Sequence, residues 1–537
     1  MVKCSEWQMA ESRKMKIPIC SLGFLVAFSI AAADEPVLPP VNLHPGPEYS
    51  DSVRMFQGIP AIERAPNGRL WAAWYGGGVT EDKHNYIVLC TSGDDGHSWQ
   101  HVLVLDPDRD GPVRAFDPCL WHDPDGKLWL FWAQRPDSRP ADLLAIHTDE
   151  SGKADAKWSQ PRRLFEGIMM NKPTVTRDGR WLMPAAVWQT NGSCRVLAST
   201  DHGASFAQIG AASVPDPKDR NCDEHMLVQR KEDSLWLLVR TKYGIGESVS
   251  TDGGKTWPEV TPTKIPHPVT RFFVRRLTSG KLLLVRHDPP AESAKVRSHL
   301  TAFLSDDEGR TWQGGLLLDE RKGVSYPDGV QAADGVISVI YDWDRMREKE
   351  ILMAIFTEDD VLQKKIRSPK GRLRVLVNKA TGINPGRSGH RVTTAKLSTN
   401  ADGVPLIQGP AAELQYEGGE VDKFVVGASL FLDRDYGINE APEPLRGKTF
   451  VRFDIASDRV VCRKAGVVYL VTPSAGRNRD SLAEKLQTRG FKKTNIPEFL
   501  LFGSDNNICS VFQGELSKDE TLEIGKWAVL VLPSAAQ

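Results

Sequence analysis

The sequence has little net charge and, after its first 33 residues, no long apolar run. Its 537 residues carry a formal net charge of −1, so overall charge gives no reason to expect a nucleic-acid or membrane-surface partner. No stretch after residue 33 approaches the ~20 apolar residues that a membrane-spanning helix requires. We therefore expect neither nucleic-acid binding nor a membrane span in the mature chain.

Metal-binding patterns are also scarce. Six of the eight cysteines follow residue 33, and none has the CxxC spacing of a zinc site. The histidines lack HExxH-type spacing. Residues 106–111, "DPDRDG", fit the start of a calcium loop, but its twelfth position is Asp117 rather than Glu and no flanking helices are predicted. We interpret this stretch as an acidic turn and predict no metal and no cofactor.

The N-terminus has the layout of a secretory signal peptide. Lys14 and Lys16 precede the apolar run "IPICSLGFLVAFSIAAA", which ends in small residues before Asp34. A basic stretch, a short apolar stretch and small residues at the cleavage site are typical of such signals. We expect residues 1–33 to be removed and the protein to be secreted or periplasmic.

Helix signals are scarce over residues 45–362, where one eight-residue motif recurs instead. It reads "SGDDGHSW" from Ser92, "STDHGASF" from Ser199, "STDGGKTW" from Ser250 and "SDDEGRTW" from Ser305, and "TDESGKADAKW" from Thr148 resembles a stretched copy. The Asp can accept bonds from amides of its own turn, Gly supplies positive φ, and the aromatic residue can pack between strands. We interpret the motif as a structural turn.

A short apolar strand introduced by a turn also recurs. Six copies begin near residues 68, 126, 179, 234, 280 and 335. A period of roughly fifty residues is typical of propellers and solenoids, and four short strands fit into each unit. The sequence predicts an all-β protein with a six-bladed β-propeller over residues 45–362.

The residue composition of the sequence changes after the predicted propeller. Residues 363–414 are predicted to be a linker that begins with the basic stretch "QKKIRSPKGRLR". Residues 415–537 are predicted to form a small β-rich accessory domain, with strands such as "KFVVGASLFL", "GVVYLVT" and "KWAVLVL". One amphipathic helix is expected around "RDSLAEKLQTRG".

The repeated turns resemble the Asp-box turns of the sialidase (neuraminidase) superfamily, whose propellers contain BNR repeats. The resemblance covers residues 45–362 and implies a retaining exo-glycosidase with a tyrosine nucleophile, unlike the two carboxylates of most glycosidases. Such turns also occur in proteins that catalyse nothing. A functional prediction must therefore rest on the residues of the site.

Four residues are matched to the family's catalytic segments. "NCDEHMLVQRKEDSLWLLVR" resembles the segment with the general base, here Glu224, followed by the carboxylate-binding Arg240. "KVRSHLTAFLSDDEGRTW" resembles the segment with a further arginine, Arg297, and "VSYPDGVQAADGVISVIYDW" the segment with the nucleophile, Tyr326. The resemblance implies that Glu224 activates Tyr326. A neutral tyrosine avoids the repulsion that an anionic nucleophile would meet from the substrate's carboxylate.

Two further segments are matched to substrate contacts and to the proton donor. "VRAFDPCLW" resembles a second-blade strand, and we expect its Arg114 and Asp117 to contact the substrate. The loop "YGGGVTEDKHNY" corresponds to the loop that carries the family's acid. We predict Glu81 as the proton donor, with Asp82 as the second choice, and either needs a raised pKa to stay protonated.

The sequence departs from the family in the first blade. Sialidases have an arginine directly before Ile-Pro there, and this chain has Gly58 in "FQGIP". Because an arginine binds a carboxylate with two parallel hydrogen bonds, its loss should weaken binding of sialic acid unless another arginine replaces it. Arg54, Arg275 and Arg276 are the candidate substitutes.

We predict a secreted, exo-acting glycoside hydrolase that releases terminal sialic acid or a related acidic sugar from a glycan or glycoconjugate. Two alternatives stay open. The first is a propeller glycosidase that acts on a uronic acid or a neutral sugar, and the second is a propeller that only binds glycans or a protein partner.

Overall fold

The structure, a computed structural model, describes residues 38–109, 111–136, 140–188, 190–383, 403–407, 409–416, 419–432, 436–455, 459–478, 480–502 and 507–533. Nearly half of these residues lie in short strands and few lie in helices, which confirms the all-β prediction. The predicted signal peptide, residues 1–33, lies outside the described residues. Within them, no helix is long and apolar enough to cross a membrane.

The first 25 strands form six consecutive antiparallel sheets. Sheet 1 contains β1 (Val41–Asn42), β2 (Gln57–Arg64), β3 (Leu70–Gly76), β4 (Tyr86–Ser92) and β5 (Gln100–Leu105). Sheet 2 contains β6 (Val113–His122), β7 (Leu128–Pro136), β8 (Asp142–Thr148) and β9 (Arg162–Glu166). Sheet 3 contains β10 (Thr174–Val175), β11 (Trp181–Ala186), β12 (Cys194–Ser199) and β13 (Ala207–Ala212).

The other three sheets repeat this pattern. Sheet 4 contains β14 (Arg220–Gln229), β15 (Leu235–Thr241), β16 (Gly244–Ser250) and β17 (Thr261–Pro262). Sheet 5 contains β18 (Phe273–Arg276), β19 (Leu282–His287), β20 (Leu300–Ser305) and β21 (Gln313–Asp319). Sheet 6 contains β22 (Val324–Gln331), β23 (Ile337–Trp343), β24 (Glu350–Phe356) and β25 (Arg372–Lys379).

Helices are short. The α-helices are α1 (Glu358–Leu362) and α2 (Ala483–Thr488), and 3-10 turns lie at Pro47–Tyr49, Pro217–Asp219 and Ala291–Ser293. Helix α2 lies where the sequence predicted the amphipathic helix. Helix α1 begins with a capping box, in which Thr357 and Asp360 exchange side-chain to backbone hydrogen bonds.

The six apolar repeats predicted from the sequence are the strands β3, β7, β11, β15, β19 and β23, each next to the first strand of its four-stranded run. All seven residues of β3 are buried, because both faces of this strand are covered by neighbouring sheets. A strand buried on both faces needs a nearly continuous apolar sequence. Such a run is therefore conspicuous in the sequence.

Apolar clusters join each sheet to the next. Trp121 of sheet 2 packs against Trp181 of sheet 3 with ring centroids 4.9 Å apart, and further clusters link sheets 1 and 2, 3 and 4, 4 and 5, and 5 and 6. A sixth cluster joins Trp74 of sheet 1 to Ile340 and Met353 of sheet 6. The last sheet therefore packs against the first, an arrangement typical of β-propellers.

The four repeated turns join the third and fourth strands of the four-stranded runs in sheets 1, 3, 4 and 5. In sheet 4, Asp252 accepts bonds from Ser250 Oγ at 2.8 Å, the Thr256 amide at 3.0 Å and Thr256 Oγ1 at 2.6 Å. The Gly254 amide donates to Ser250 Oγ at 3.0 Å. The other three turns have the same bonds. These contacts fit the predicted structural role.

The end of sheet 6 corrects the predicted linker. Strand β25 pairs with β24, so residues 372–379 belong to sheet 6 although the sequence placed them in the linker 363–414. Val404 and Ala411, also in that range, form bridges to Thr494 and Val467. Little of β25 is buried, so its sequence is basic and polar and lacks the apolar pattern that would have predicted a strand.

Two further sheets follow. Their strands are β26 (Glu413–Gln415), β27 (Glu420–Lys423), β28 (Thr449–Arg452), β29 (Arg459–Lys464), β30 (Gly466–Pro473), β31 (Lys492–Lys493), β32 (Phe499–Leu500), β33 (Ile508–Leu516), β34 (Thr521–Glu523) and β35 (Val529–Val531). Three of these form one sheet, β26-β29-β34, and the other seven form the second sheet.

One strand predicted in this region is wrong. The sequence predicted a strand over residues 423–432, and only Lys423 lies in β27 while Ser429 and Phe431 make isolated bridges. Gly427 has φ of +87°, and the Ala428 amide donates to Val425 O at 3.1 Å. The chain therefore turns in the middle of an apolar run, and the burial of that run does not come from strand pairing.

Candidate functional site

The first strands of the four-stranded runs in sheets 1, 2, 4 and 6 each carry a β-bulge. At each bulge the pairing register shifts and a non-glycine residue adopts positive φ: Ile59 at 58°, Asp117 at 50°, Asp223 at 47° and Tyr326 at 55°. Positive φ is unusual for a bulky residue such as tyrosine and marks a strained backbone. Because a bulge re-aims side chains, these four positions define the candidate site.

Tyr326, Glu224 and Arg240 meet in a buried hydrogen-bonded triad. The Tyr326 hydroxyl donates to Glu224 Oε1 at 2.9 Å, and Arg240 Nη1 lies 2.6 Å from the same carboxylate oxygen and 2.7 Å from the hydroxyl. At most 6% of each residue is exposed. The structure thus brings together three residues that are distant in sequence and that the sequence analysis assigned to one site.

The environment of Tyr326 keeps its hydroxyl neutral at rest. Burial raises the pKa of Tyr326 above its usual value, and the charge of Glu224 adds to this effect. The positive charges of Arg240, Arg345 and Arg297 oppose it by favouring the phenolate. The hydroxyl therefore needs a proton acceptor before it can attack, and Glu224 is already in hydrogen-bond contact with it.

Arg297 also lies at Tyr326, as predicted. Its guanidinium carbon is 5.9 Å from the centre of the Tyr326 ring, and that of Arg240 is 6.0 Å away. Both side chains donate to the carbonyl oxygen of Val269, at 3.1 Å from Arg297 Nη2 and 3.4 Å from Arg240 Nη2. This carbonyl holds two guanidiniums side by side despite their like charge.

Arg345 is the site residue that the sequence analysis missed. Its guanidinium carbon lies 4.4 Å from the centre of the Tyr326 ring, nearer than those of Arg240 and Arg297. A Cβ atom added to Gly58 would lie 2.6 Å from Arg345 Cδ and 2.7 Å from its Cγ. The side chain of Arg345 therefore fills the space beside Gly58, the position where the resembled family has an arginine.

Asp342 fixes the position of Arg345. Its buried carboxylate accepts bonds from Arg345 Nε at 2.8 Å, the Ile59 amide at 2.7 Å and Ser325 Oγ at 2.6 Å. Ser325 Oγ is also 2.9 Å from Arg345 Nη2. One carboxylate thus connects the bulge of β2, the residue before Tyr326 and the arginine.

The three arginines predicted to replace the one missing at Gly58 are held elsewhere. Arg54 donates to Tyr49 O at 2.7 Å and to Gln57 Oε1 at 3.1 Å. Arg275 donates to Pro173 O at 2.8 Å, and Arg276 pairs with Glu308 at 2.5 Å. The prediction of Arg54, Arg275 and Arg276 as substitutes is therefore wrong, because each of these side chains is bound to partners elsewhere in the chain.

The predicted acid loop contributes one residue to the site. Glu81 Oε1 is 2.8 Å from Arg345 Nη1, and Glu81 Oε2 is 3.7 Å from Arg114 Nη2. Asp82 instead closes its own loop, since its carboxylate accepts bonds from the Val79 amide at 3.1 Å and the His84 amide at 2.9 Å. These contacts hold Asp82 within its own loop, and its role as the second-choice acid stays a prediction.

Arg114 and Asp117 both lie beside the acidic residues of the site. Arg114 donates to Tyr75 OH and to Asn85 Oδ1, each at 3.0 Å. Asp117 is buried, and burial raises its pKa to about 7. The charge of Arg114 lowers this pKa, and the charges of Glu81 and Glu224 raise it further. Asp117 is thus a carboxyl that can hold a proton near neutral pH.

Buried charges also connect the first strands behind the site. Lys172 Nζ donates to Ile62 O and Leu120 O, each at 2.6 Å, and lies 3.1 Å from Asp328 Oδ2. Asp328 Oδ2 also accepts the Ile62 amide at 2.9 Å. Since Asp328 is two residues from Tyr326, this ion pair anchors the strand that carries the candidate nucleophile.

Groups of three or more His, Cys, Asp or Glu that could hold a metal ion are absent from the part of the chain that the structure describes. Among the described cysteines, Cys90, Cys119, Cys194, Cys462 and Cys509 are not in disulfides.

The model of the family "BNR repeat-like domain" matches residues 68–339, about half of the chain. The chain belongs to this BNR family of the sialidase superfamily. This BNR protein is 24% identical over 330 residues to a sialidase of Micromonospora viridifaciens, an alignment that covers 53% of the chain and 49% of the relative. The chain thus spans about half the length of that curated relative.

Solved structures that are similar to this chain include two proteins named as sialidases or trans-sialidases. The Hadza microbial sialidase Hz136 has a TM-score of 0.46 and 19% identity, covering 58% of this chain and 67% of the other. The leech intramolecular trans-sialidase has a TM-score of 0.49 and 12% identity, covering 62% of this chain and 72% of the other.

The sequence of this BNR protein offered one signal for Arg345. Glu81 and Arg297 come from the loops after β3 and β19, and Arg345 comes from the corresponding loop after β23. Successive turns of an antiparallel run alternate between its two edges. Aligning the repeats on their second strands would have placed residues 344–349 at the edge that carries the site.

Proposed function

We propose that this BNR protein is a retaining, exo-acting glycoside hydrolase that releases terminal sialic acid or a related acidic sugar. Its catalytic domain is a six-bladed propeller in which sheets 1 to 6 are the blades. The observation that carries the proposal is the contact of Tyr326 OH with Glu224 Oε1 at 2.9 Å, with Arg240 bonded to both groups. From its N-terminal sequence we also expect export.

In the first step, Glu224 accepts the phenolic proton as the Tyr326 oxygen bonds to the anomeric carbon. The bond from that carbon to the leaving oxygen breaks, and a carboxylic acid of the site protonates this oxygen. In the second step, water attacks the anomeric carbon and gives a proton to that carboxylate, while the bond to the Tyr326 oxygen breaks and Glu224 returns its proton to that oxygen. Two displacements retain the anomeric configuration.

Asp117 is better suited to donate the proton than Glu81, which the sequence analysis favoured. The pKa of Asp117 is raised to about 7, first by burial, so much of it is protonated at neutral pH. Glu81 instead pairs through one oxygen with Arg345 and through the other with Arg114, so both of its carboxylate oxygens are already engaged. We therefore assign the acid to Asp117 and a binding or positioning role to Glu81.

The arginines support an acidic substrate. Arg240, Arg297 and Arg345 all lie within 6.0 Å of the Tyr326 ring centre. Arginine binds a carboxylate through two parallel hydrogen bonds, which gives geometric specificity as well as affinity. A uronic acid would also meet this requirement, whereas a neutral sugar would not.

The function can be tested with a panel of aryl glycosides that includes a sialoside, a glucuronide and neutral glycosides. We expect release of the aryl group from the sialoside, and a fall in kcat of at least about 10³-fold in Tyr326→Phe, because the nucleophile is lost. Tyr341→Phe is the matched control, since Tyr341 is a buried tyrosine of sheet 6 that bonds to Asp319.

The outcomes separate the alternatives. Cleavage of the glucuronide alone would change the substrate and keep the mechanism. Folded protein that cleaves no member of the panel would contradict the enzymatic proposal and favour a propeller that only binds its ligand.

A further inference from the structure

We propose that Arg345 binds the acidic group of the substrate from the space beside Gly58, and that Glu81 occupies Arg345 until the substrate displaces it. This inference rests on the proposed function and deepens it. It assigns the specificity for an acidic sugar to a loop of sheet 6 and not to the first strand of sheet 1.

The space available around Gly58 carries the first part of the inference. Gly58 pairs with Tyr75 across β2 and β3. A Cβ at residue 58 would approach Arg345 Cδ, Cγ and Nε to 2.6, 2.7 and 2.9 Å. Distances this short are not tolerated between non-bonded heavy atoms. A side chain at residue 58 and Arg345 in its present position therefore exclude each other.

The hydrogen bonds of Arg345 carry the second part. Its Nε is held by Asp342 and its Nη2 by Ser325, and both partners are buried. Its Nη1 instead bonds to Glu81, whose side chain is 39% exposed. The guanidinium is thus fixed by two buried partners and offers its third nitrogen to a carboxylate on a solvent-exposed loop.

Exchange of one carboxylate for another explains how the ion pair and the substrate share Arg345. The Arg345–Glu81 ion pair is open to solvent on its Glu81 side, and solvent screening weakens such a pair. A carboxylate that Arg240 and Arg297 also bind can therefore displace Glu81 at small cost. A neutral sugar has no group to replace Glu81. The ion pair therefore selects for an acidic ligand.

The experiment is calorimetric titration of the full-length protein with DANA, the unsaturated analogue of sialic acid, and with its methyl ester. We expect the wild type to bind the acid more tightly than the ester. Arg345→Met should weaken binding of the acid about 10- to 100-fold, as expected for a lost hydrogen bond to a charged group, and should change binding of the ester much less. Arg321→Met is the matched control, because Arg321 stacks on Trp343 and pairs with Asp319 of sheet 5.

A reciprocal exchange covers the case in which Arg345→Met disturbs the loop. Gly58→Arg alone should weaken binding of the acid, because the new side chain collides with Arg345. The double variant Gly58→Arg, Arg345→Ala should recover at least part of the preference for the acid, since an arginine then enters the same space from β2.

The outcomes distinguish the inference from the proposed function. If the wild type prefers the acid and Arg345→Met keeps that preference, or if the double variant binds no better than Gly58→Arg, the role of Arg345 is wrong and the function stands. If the folded wild type binds neither compound and cleaves no member of the glycoside panel, both proposals are wrong.

Discussion

The two edges of the six sheets differ in how far their residues repeat from one sheet to the next. At one edge, four turns repeat the same contacts, with the Ser to Asp hydrogen bond between 2.7 and 2.8 Å in all of them. At the other edge, four first strands share a bulge but carry different side chains there: Ile59, Asp117, Asp223 and Tyr326. Repetition at the first edge supports the fold, and variation at the second supplies the side chains of the candidate site.

The backbone differs in which residues adopt positive φ. In each repeated turn two successive residues do so, and the second is a glycine in all four, which tolerates it without strain. The first is Asp95, His202, Gly253 or Glu308. At the bulges, positive φ is imposed on residues with large side chains. Strain that persists at such positions must be balanced by surrounding contacts, and Asp342 and Asp328 supply these contacts beside Tyr326.

The largest effect is expected from a change at a bulge. Asp117→Asn should lower kcat about 10²- to 10⁴-fold for a substrate with a sugar leaving group, because a positioned acid is lost. The effect should be much smaller for an activated aryl leaving group, which needs no protonation. Since the pKa of Asp117 is about 7, wild-type activity should fall as pH rises through 7. The activity of Asp117→Asn should not show this fall.

The same substitution should stabilise the fold in a pH-dependent way. The folded protein holds the pKa of Asp117 at about 7 instead of 3.8, so ionisation is disfavoured in the folded state. This destabilises the wild type progressively as pH rises from about 4 to 7. Asp117→Asn should therefore gain free energy of unfolding relative to wild type between pH 5 and 8, by at most about 4 kcal/mol, measured by urea denaturation.

Glu81→Gln is the matched control for the acid. It should tighten binding of an acidic substrate, because Arg345 then has no carboxylate partner for the substrate to displace, and it should keep the fall in activity as pH rises through 7. If Glu81→Gln removes that fall and Asp117→Asn keeps it, the original assignment from the sequence is right and Asp117 only contacts the substrate.

A smaller effect is expected from the opposite edge. Asp252→Ala removes an acceptor of bonds from Ser250, Lys255 and Thr256 and should lower Tm while kcat changes less than about twofold, since the turn is remote from the reacting atoms. The four turn aspartates have lowered pKa values, first because of side-chain bonds from Ser or Thr, and those of Asp201 and Asp307 are about 2.

The sign of the pH effect follows from these lowered values. A depressed folded-state pKa contributes stability above pH 4, and this contribution is lost as pH falls toward 2. The difference in Tm between Asp252→Ala and wild type should therefore shrink in acid. A large loss of kcat in Asp252→Ala, with Tm unchanged, would contradict the claim that the repeated turns support only the fold.

Much of the fold could be predicted from the sequence because the repeats carry it. The apolar strands β3 and β7 and the turns at Ser92 and Ser250 depend on local residue types, so each is visible in a short window. Strand β25 and the turn at Gly427 were missed, because a polar outer strand and an unpaired apolar run have no periodic signal that identifies them.

Much of the site could be predicted where a segment resembles the family's catalytic segments. Glu224, Arg240 and Tyr326 lie in such segments, and the structure brings them into contact as expected. Arg345 and the local contacts of Asp82 depend on loop conformation and on which side chain fills the space beside Gly58. Such contacts are long-range, so the sequence around each residue does not reveal them.

The most direct test of the account is to trap the intermediate on Tyr326. A sialosyl fluoride with a second fluorine beside the anomeric carbon should release fluoride as the Tyr326 oxygen bonds to the anomeric carbon. The glycosyl group then stays on Tyr326, because it is hydrolysed slowly. Peptide mass spectrometry should find this group on the peptide that contains Tyr326, and Tyr326→Phe should abolish it. An adduct on Glu224, Asp117 or Glu81, or turnover of the fluoride without dependence on Tyr326, would contradict the central claim.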